Sequence, residues 1–537
     1  MAEAIDVETL YDLTLPAPMG GVTLSPAGDM VAFVADEFDE TAEERLSSVY
    51  IMPTDGNRKP HRLSRASTAS NPVWSPDGSK LAVLAARDED IARRAGRSPE
   101  ENDETDEPST DVSETDESDE EEQPDLPEDD EPRPQVWMYD LEFGGDARQV
   151  TDFDEGVSEF DFSPDGDHLV VAARDPTDEQ TEYLAQRRNG GPIEVERLQH
   201  KADGAGWLDE VKTYLFVIDV DGEDEPERLD EAYGQGAAAP MTGLKPVWGE
   251  NRIAFLSNRT DNPDDSQVMD VYTIVPDGSD LRQITDSDVL TFLAEWDNSG
   301  ERLAFVAWTP DNFYKQAELY IANATTGDYQ SISTHIDREV SFSNRVRWLE
   351  DDTVVALIAD EGLTRPAIFD VDGGESHRAF SVQGRDRELT GFDVRGETVA
   401  ALLSHPTDGP DLFAAGVESL HDSVELTRLT KLNNVLEDIH TPRVERVEVE
   451  NDGTTIESIV YLPDEFDPND PTPTAAFLPS MAGQCRLIHH DTPSKSHAGR
   501  AGATSLSDRI IAAQHSMGKH SVKRCEGGGG QSKPTTS

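Results

Sequence analysis

The sequence predicts an all-β protein, a seven-bladed β-propeller followed by one further hairpin. Three observations predict it. A turn of the form aromatic-Ser-Pro-Asp-Gly recurs along the chain. Each copy is followed by two short apolar strands. Where nothing interrupts the repeat, its spacing is about 44 to 52 residues, the length of one four-stranded blade.

The clearest turns are Trp74-Ser75-Pro76-Asp77-Gly78 before Leu81–Leu84 and Phe162-Ser163-Pro164-Asp165-Gly166 before Leu169–Val171. Leu24-Ser25-Pro26-Ala27-Gly28 before Val31–Phe33 is a near copy. Degenerate copies stand at Trp248, Trp296-Asp297-Asn298-Ser299-Gly300, Trp348 and Phe392. Proline presets φ, aspartate bonds its own backbone and glycine accepts positive φ, so each copy reads as a hairpin turn. The second strands are Ser48–Ile51, Val136–Asp140, Tyr214–Asp219, Asp270–Ile274, Glu318–Ile321, Pro366–Asp370 and Asp411–Ala414. One such sheet cannot bury both faces alone; stacking around an axis supplies the missing surface. A β-sandwich would have to produce the same period by coincidence.

Residues 1–430 are therefore assigned to the propeller, with two insertions. Residues 99–134 form an acidic, Pro- and Ser-rich stretch without Lys or Arg between Glu100 and Glu131. It has too little apolar surface to offset the entropy of ordering and is expected to be disordered. Residues 178–211 mix charge with Tyr183, Leu184, Ile193, Leu198 and Trp207, and read as a short helix and a long hairpin. Residues 431–475 comprise the linker Lys431-Leu432-Asn433-Asn434, then Val444–Glu450 and Thr454–Tyr461 flanking Asn451-Asp452-Gly453, a strong hairpin signal. Val447, Val449, Ile456 and Ile459 mark this hairpin as the start of a new packed domain. In residues 476–537 acidic groups nearly vanish and Lys, Arg, His, Gly and Ser take over. That tail reads as unstructured and as an out-of-frame product; a natural basic tail is the alternative.

The 537 residues carry 110 Asp and Glu against 45 Lys and Arg, a formal net charge of -65. The excess runs through every segment up to about residue 470 rather than sitting in one tail. Such a surface repels nucleic acid and anionic membranes, and suits solubility in concentrated salt. No basic start precedes an apolar segment, no run approaches the roughly 18 apolar residues of a membrane span, and the two cysteines, Cys485 and Cys525, lie near the C-terminus. A cytoplasmic location is expected, with neither nucleic acid nor membrane as partner.

The search for chemistry returns little. No Gly-x-Ser-x-Gly, His-Glu-x-x-His, Cys-x-x-Cys or phosphate loop occurs. Ser516 and Lys519 have Ser-x-x-Lys spacing, and His489, His490, His497, His515 and His520 could take adventitious metal, but all lie in the patternless tail. Asp77 and Asp165 read as turn residues rather than catalytic carboxylates or calcium ligands. No catalytic, cofactor-binding or metal-binding residue is assigned.

The order of parts resembles the prolyl oligopeptidase family of serine peptidases, and most its acylaminoacyl-peptidase branch. The turns alone are shared with TolB-type (PD40-like) propellers. The features that favour the peptidase are the Leu-Thr-x-Leu-Asn linker at Leu429–Asn433, the hairpin ending Tyr461-Leu462-Pro463, and Lys201-Ala202-Asp203-Gly204 before a strand. The resemblance covers roughly residues 1–475 and implies a propeller that admits short peptides to an α/β-hydrolase domain bearing a Ser-Asp-His triad. It implies an oxyanion loop of the His-Gly-Gly-Pro type after the hairpin, where this chain reads Pro479-Ser480-Met481-Ala482-Gly483. The hairpin would then be the first of an incomplete hydrolase domain, and no activity is expected from this chain alone. A TolB-like binding scaffold is the alternative. Docking to a separately made hydrolase domain, or self-association, also fits.

Overall fold

A computed structural model describes residues 7–462 apart from 18–20, 41–42, 65–67, 88–131, 203–205, 222–224, 311, 313–314, 361–362, 380–386, 406, 422–425, 440, 442 and 452–453. Seven antiparallel sheets follow one another along the chain, each built from four successive main strands. Blade 1 holds Val22–Leu24, Met30–Asp39, Glu44–Pro53 and His61–Arg62, and the short Leu15–Pro16 also pairs with its second strand. Blade 2 holds Ser70–Trp74, Lys80–Ala86, Pro134–Asp140 and Arg148–Gln149; blade 3 holds Val157–Phe162, His168–Arg174, Thr213–Asp219 and Glu227–Tyr233. Blade 4 runs through Val247–Trp248, Ile253–Ser257, Asp270–Ile274 and Arg282–Gln283, and blade 5 through Leu290–Trp296, Arg302–Trp308, Glu318–Asn323 and Tyr329–Ser331. Blade 6 comprises Arg347–Glu350, Thr353–Asp360, Leu363–Asp370 and Ser376–Arg378; blade 7 comprises Glu388–Arg395, Thr398–His405, Gly409–Gly416 and Thr427–Arg428.

The apolar core is divided in the way stacking demands. Each of its seven clusters lies between two neighbouring blades rather than within one. One cluster packs Val31, Phe33 and Met52 of blade 1 against Ala400, Leu402 and Leu412 of blade 7, which closes the ring. Among the described residues no strand from either end completes the opposite blade. Side chains and backbone hold the seam instead: Thr14 N–H donates to Asn433 Oδ1 at 2.9 Å, and Asn433 Nδ2 donates back to Thr14 O at 3.0 Å.

The turns work as their residues dictate. Ser75 Oγ donates to Asp77 Oδ1 at 2.6 Å and accepts from Lys80 N–H at 2.9 Å, while Gly78 sits at φ 73°. Ser163, Asp165 and Gly166 repeat the arrangement. In blade 5, Asp297 replaces the serine: its Oδ1 accepts from the backbone of Glu301 and Arg302. These bonds hold Asp77 down to about 2, led by the Ser75 hydroxyl, and Asp165 below its ordinary value for the same reason. A second device joins the outer strands. The N–H of Val49, Val136, Val271, Leu319 and Leu412 donates to the hydroxyl of Ser64, Thr151, Thr285, Ser333 and Thr430 respectively.

Two readings need correction. Register places Val394, not Phe392, at the turn position of blade 7, because Val394 pairs with Val399 as Phe162 pairs with Leu169. The turn here, Arg395-Gly396-Glu397, is short and lacks the Ser-Pro-Asp-Gly signature, and Phe392 is buried between blades 6 and 7, as its counterpart Phe160 is between blades 2 and 3. The second insertion contains a helix, Asp178–Arg188, capped by Thr177 and Gln180, but its hairpin is short, pairing only Lys201–Ala202 with Gly206–Trp207. Most of the acidic insertion lies outside the described residues, and Pro134 is already the first residue of a blade-2 strand.

After blade 7 the chain makes one short helical turn, Asn434–Asp438, and then a separate two-stranded sheet of Arg443–Asn451 and Thr454–Leu462. The pairing runs from Asn451 with Thr454 to Arg443 with Leu462, as the alternation around Asp452-Gly453 requires. This hairpin joins no blade.

Candidate functional site at the propeller axis

The residue just before the turn position is equivalent in every blade: Thr23, Val73, Asp161, Val247, Glu295, Arg347 and Asp393. Each sits on the innermost strand, and its cross-strand neighbour is Ala or Val, small enough to leave room beside it. The contacts made from this position reach forward to the next blade. Asp161 Oδ2 accepts from Trp248 N–H at 2.9 Å, and Asp393 Oδ2 accepts from Leu24 N–H at 2.7 Å. The turn tryptophans reach backward: Nε1 of Trp74, Trp296 and Trp348 donates to the carbonyls of Thr23, Val247 and Glu295 in the preceding blades.

Blades 5 to 7 place charges at this level. Arg347 is buried, with Nε 2.6 Å from Asp393 Oδ1 and Nη1 3.1 Å from Glu295 Oε1. Burial works against both charges of the Arg347–Asp393 pair, but mutual attraction wins, so the guanidinium is held above and the carboxyl below its ordinary value. Across the axis, burial pushes Asp161 up to about 6, with Arg345 opposing the rise. Two residues earlier on blade 3, Glu159 accepts from the N–H groups of Leu244 and Lys245 and pairs with Lys245 Nζ at 2.8 Å. Arg345 and Arg395, on either side of this level, are exposed.

The axis thus presents fixed charges, not a nucleophile and base. Among the described residues no group of three or more His, Cys, Asp and Glu is placed to hold a metal ion. Ser516, Lys519, the tail histidines and Pro479–Gly483 lie outside the described residues. Asp77 and Asp165 stand in their turns, as read. Sequence reasoning missed Asp161, Glu295, Arg347 and Asp393. The available signal was a charged residue immediately before the turn aromatic in blades 3, 5 and 6; Asp393 precedes Val394 and carries no such mark. No helix among the described residues is long and apolar enough to cross a membrane.

No family model matches this chain. It is 23% identical over 266 residues to the uncharacterized peptidase YuxL of Bacillus subtilis, covering 49% of this chain and 33% of that one. The acylaminoacyl peptidase of Pyrococcus horikoshii superposes with a TM-score of 0.59 at 17% identity, over 86% of this chain and 59% of its own. The β-propeller domain of the trilobed protease of Pyrococcus furiosus, whose topology is described as open velcro, gives 0.50 at 17% identity over 79% and 99%. A puromycin-hydrolyzing peptidase of Mycobacterium tuberculosis gives 0.51 at 13% identity over 86% and 61%. The fold is a seven-bladed β-propeller, as in the propeller domains of those structures. The chain spans about a third of the curated relative and about three fifths of the whole peptidases.

Proposed function

We propose that this chain is the substrate-gating propeller of a serine peptidase of the prolyl oligopeptidase family, of acylaminoacyl-peptidase type. Its partners would be short peptides, and its setting a salt-adapted cytoplasm. One observation carries the reading: the ring closes on itself between blades 7 and 1, yet the chain continues into an ordered hairpin that serves no blade. A self-sufficient binding scaffold has no use for that hairpin, whereas a propeller feeding into a hydrolase does. Residues 443–462 are then the first hairpin of the hydrolase domain, and the Pro479–Gly483 segment stands where an oxyanion loop belongs.

Acyl transfer needs a nucleophile, a base and oxyanion donors in one fixed arrangement. The axial residues supply none of these. The purified 537-residue chain should therefore leave an acylaminoacyl or peptidyl p-nitroanilide intact. Hydrolysis of that substrate, abolished by a serine-directed phosphonate, would show that the chain carries its own active site and would overturn the proposal.

A further inference from the structure

The blade-3 insertion turns its arginines inward and its apolar side chains outward. Arg188 pairs with Glu155 at 2.5 Å, Arg187 with Asp209 at 3.5 Å, and Arg197 with Asp264 of blade 4 at 2.8 Å. Gln199 N–H also donates to Asp264, at 2.7 Å, which ties the extended run 192–199 to that blade. Glu194 N–H donates to the Tyr183 hydroxyl at 2.9 Å, and Arg187 donates to Trp207 O at 3.3 Å, so helix, extended run and short hairpin form one unit. Against this polar frame Val195 is 53% and Leu198 68% exposed, and Ile193 and Trp207 are exposed as well. Met241, 68% exposed, stands on the helical turn Ala239–Thr242; Ala237, just before it, donates to Pro263 O at 3.0 Å, next to Asp264. Five of the eight exposed large apolar side chains among the described residues therefore belong to one corner, where blade 3 meets blade 4. A rigid unit that spends its charges inward and shows apolar groups to solvent is built as a contact surface.

Charge selects the partner. At -65, most of this chain's surface repels a second copy. In this corner three arginines are neutralised by the frame, and the exposed charges beside the apolar side chains have both signs. Lys201 Nζ lies 5.1 Å from the Trp207 ring, and Glu194 and Glu196 flank Val195. A two-fold contact sets a patch against itself, so a patch carrying both signs complements its own copy. We propose that two copies of this chain associate through the blade-3 insertion, burying Leu198 and Trp207 and setting Lys201 of each copy against the glutamates of the other. The inference goes beyond the peptidase reading and does not depend on it.

Sedimentation equilibrium of the full chain in concentrated potassium chloride, where the net charge is screened, tests it. A reversible monomer–dimer equilibrium is expected. Leu198→Asp and Trp207→Asp should each raise the dissociation constant about tenfold or more, as expected for a lost apolar hot spot. At lower salt Lys201→Glu should also weaken association, and adding Glu194→Lys should recover part of it, which a packing loss alone would not do. Phe143→Asp, on the turn between the third and fourth strands of blade 2 and so on the opposite face, should leave the dimer unchanged, as should Val447→Asp on the hairpin. Circular dichroism checks that each variant folds. A monomer at every concentration, or association indifferent to both Leu198 and Trp207, would overturn the proposal. A dimer lost with Val447→Asp instead would overturn it too, by giving the contact to the hairpin.

Discussion

Arg347 and Asp393, 46 residues apart in sequence, form a buried ion pair 2.6 Å long where blade 6 meets blade 7. The second oxygen of the same carboxylate holds Leu24 N–H of blade 1. One side chain therefore ties together the last two blades and the first, at the place where no described strand interlocks the ring. Removing one partner of a buried pair leaves the other charge uncompensated. Asp393→Ala should cost about 3 to 5 kcal/mol in urea unfolding, because Arg347 then keeps only Glu295. A loss no larger than that of an exposed turn variant would show that the seam does not depend on this pair.

The turn of blade 5 offers a graded comparison. Ser163→Ala removes one hydroxyl from the blade-3 turn and should cost about 1 kcal/mol. Asp297→Ala should cost more, because it frees two backbone N–H groups and also the Arg302 guanidinium, whose Nε lies 2.9 Å from Asp297 Oδ2. Chemical denaturation of both variants checks the order.

Glu388 is buried between blades 6 and 7, where burial pushes it up to about 7. The Thr364 hydroxyl donates to it at 2.8 Å, and Arg365 is the charge that opposes the shift. A carboxyl raised in the folded state binds more protons folded than unfolded, so its contribution to stability is complete at low pH and is lost as pH rises from about 4 to about 7. Glu388→Gln should flatten that decline. At pH 8 it should be the more stable protein, by an amount on the order of 3 kcal/mol. Melting curves across this range test it; a steeper decline would reverse the sign.

A net charge of -65 repels itself in dilute buffer. Added potassium chloride should raise the melting temperature steadily from low ionic strength, with the steepest gain where screening first reaches neighbouring surface charges. A flat or falling response would remove the salt-adapted reading.

The sequence made the turns and strand pairs readable because their physics is local. Pro76, Asp77 and Gly78 specify a turn without help from elsewhere, and Asn451-Asp452-Gly453 specifies the hairpin register that Asn451 and Thr454 display. Blade 7 misled because its turn, Arg395-Gly396-Glu397, lacks the Ser-Pro-Asp-Gly signature and Val394 holds the turn position, leaving Phe392, the counterpart of buried Phe160, as the nearest aromatic. The axial charges were illegible for a different reason. Glu295, Arg347 and Asp393 each look like a polar residue in an alternating strand. Only the stacking of blades 5, 6 and 7 brings them close enough to pair.

If the propeller leads into a hydrolase, the codons beyond about position 475 should show it. Reading the locus in its neighbouring frames should uncover His-Gly-Gly-Pro followed by Gly-x-Ser-x-Gly-Gly, continuing the sheet that the hairpin at 443–462 begins. Absence of both motifs from every frame would rule out a following hydrolase and leave a binding propeller with an added hairpin.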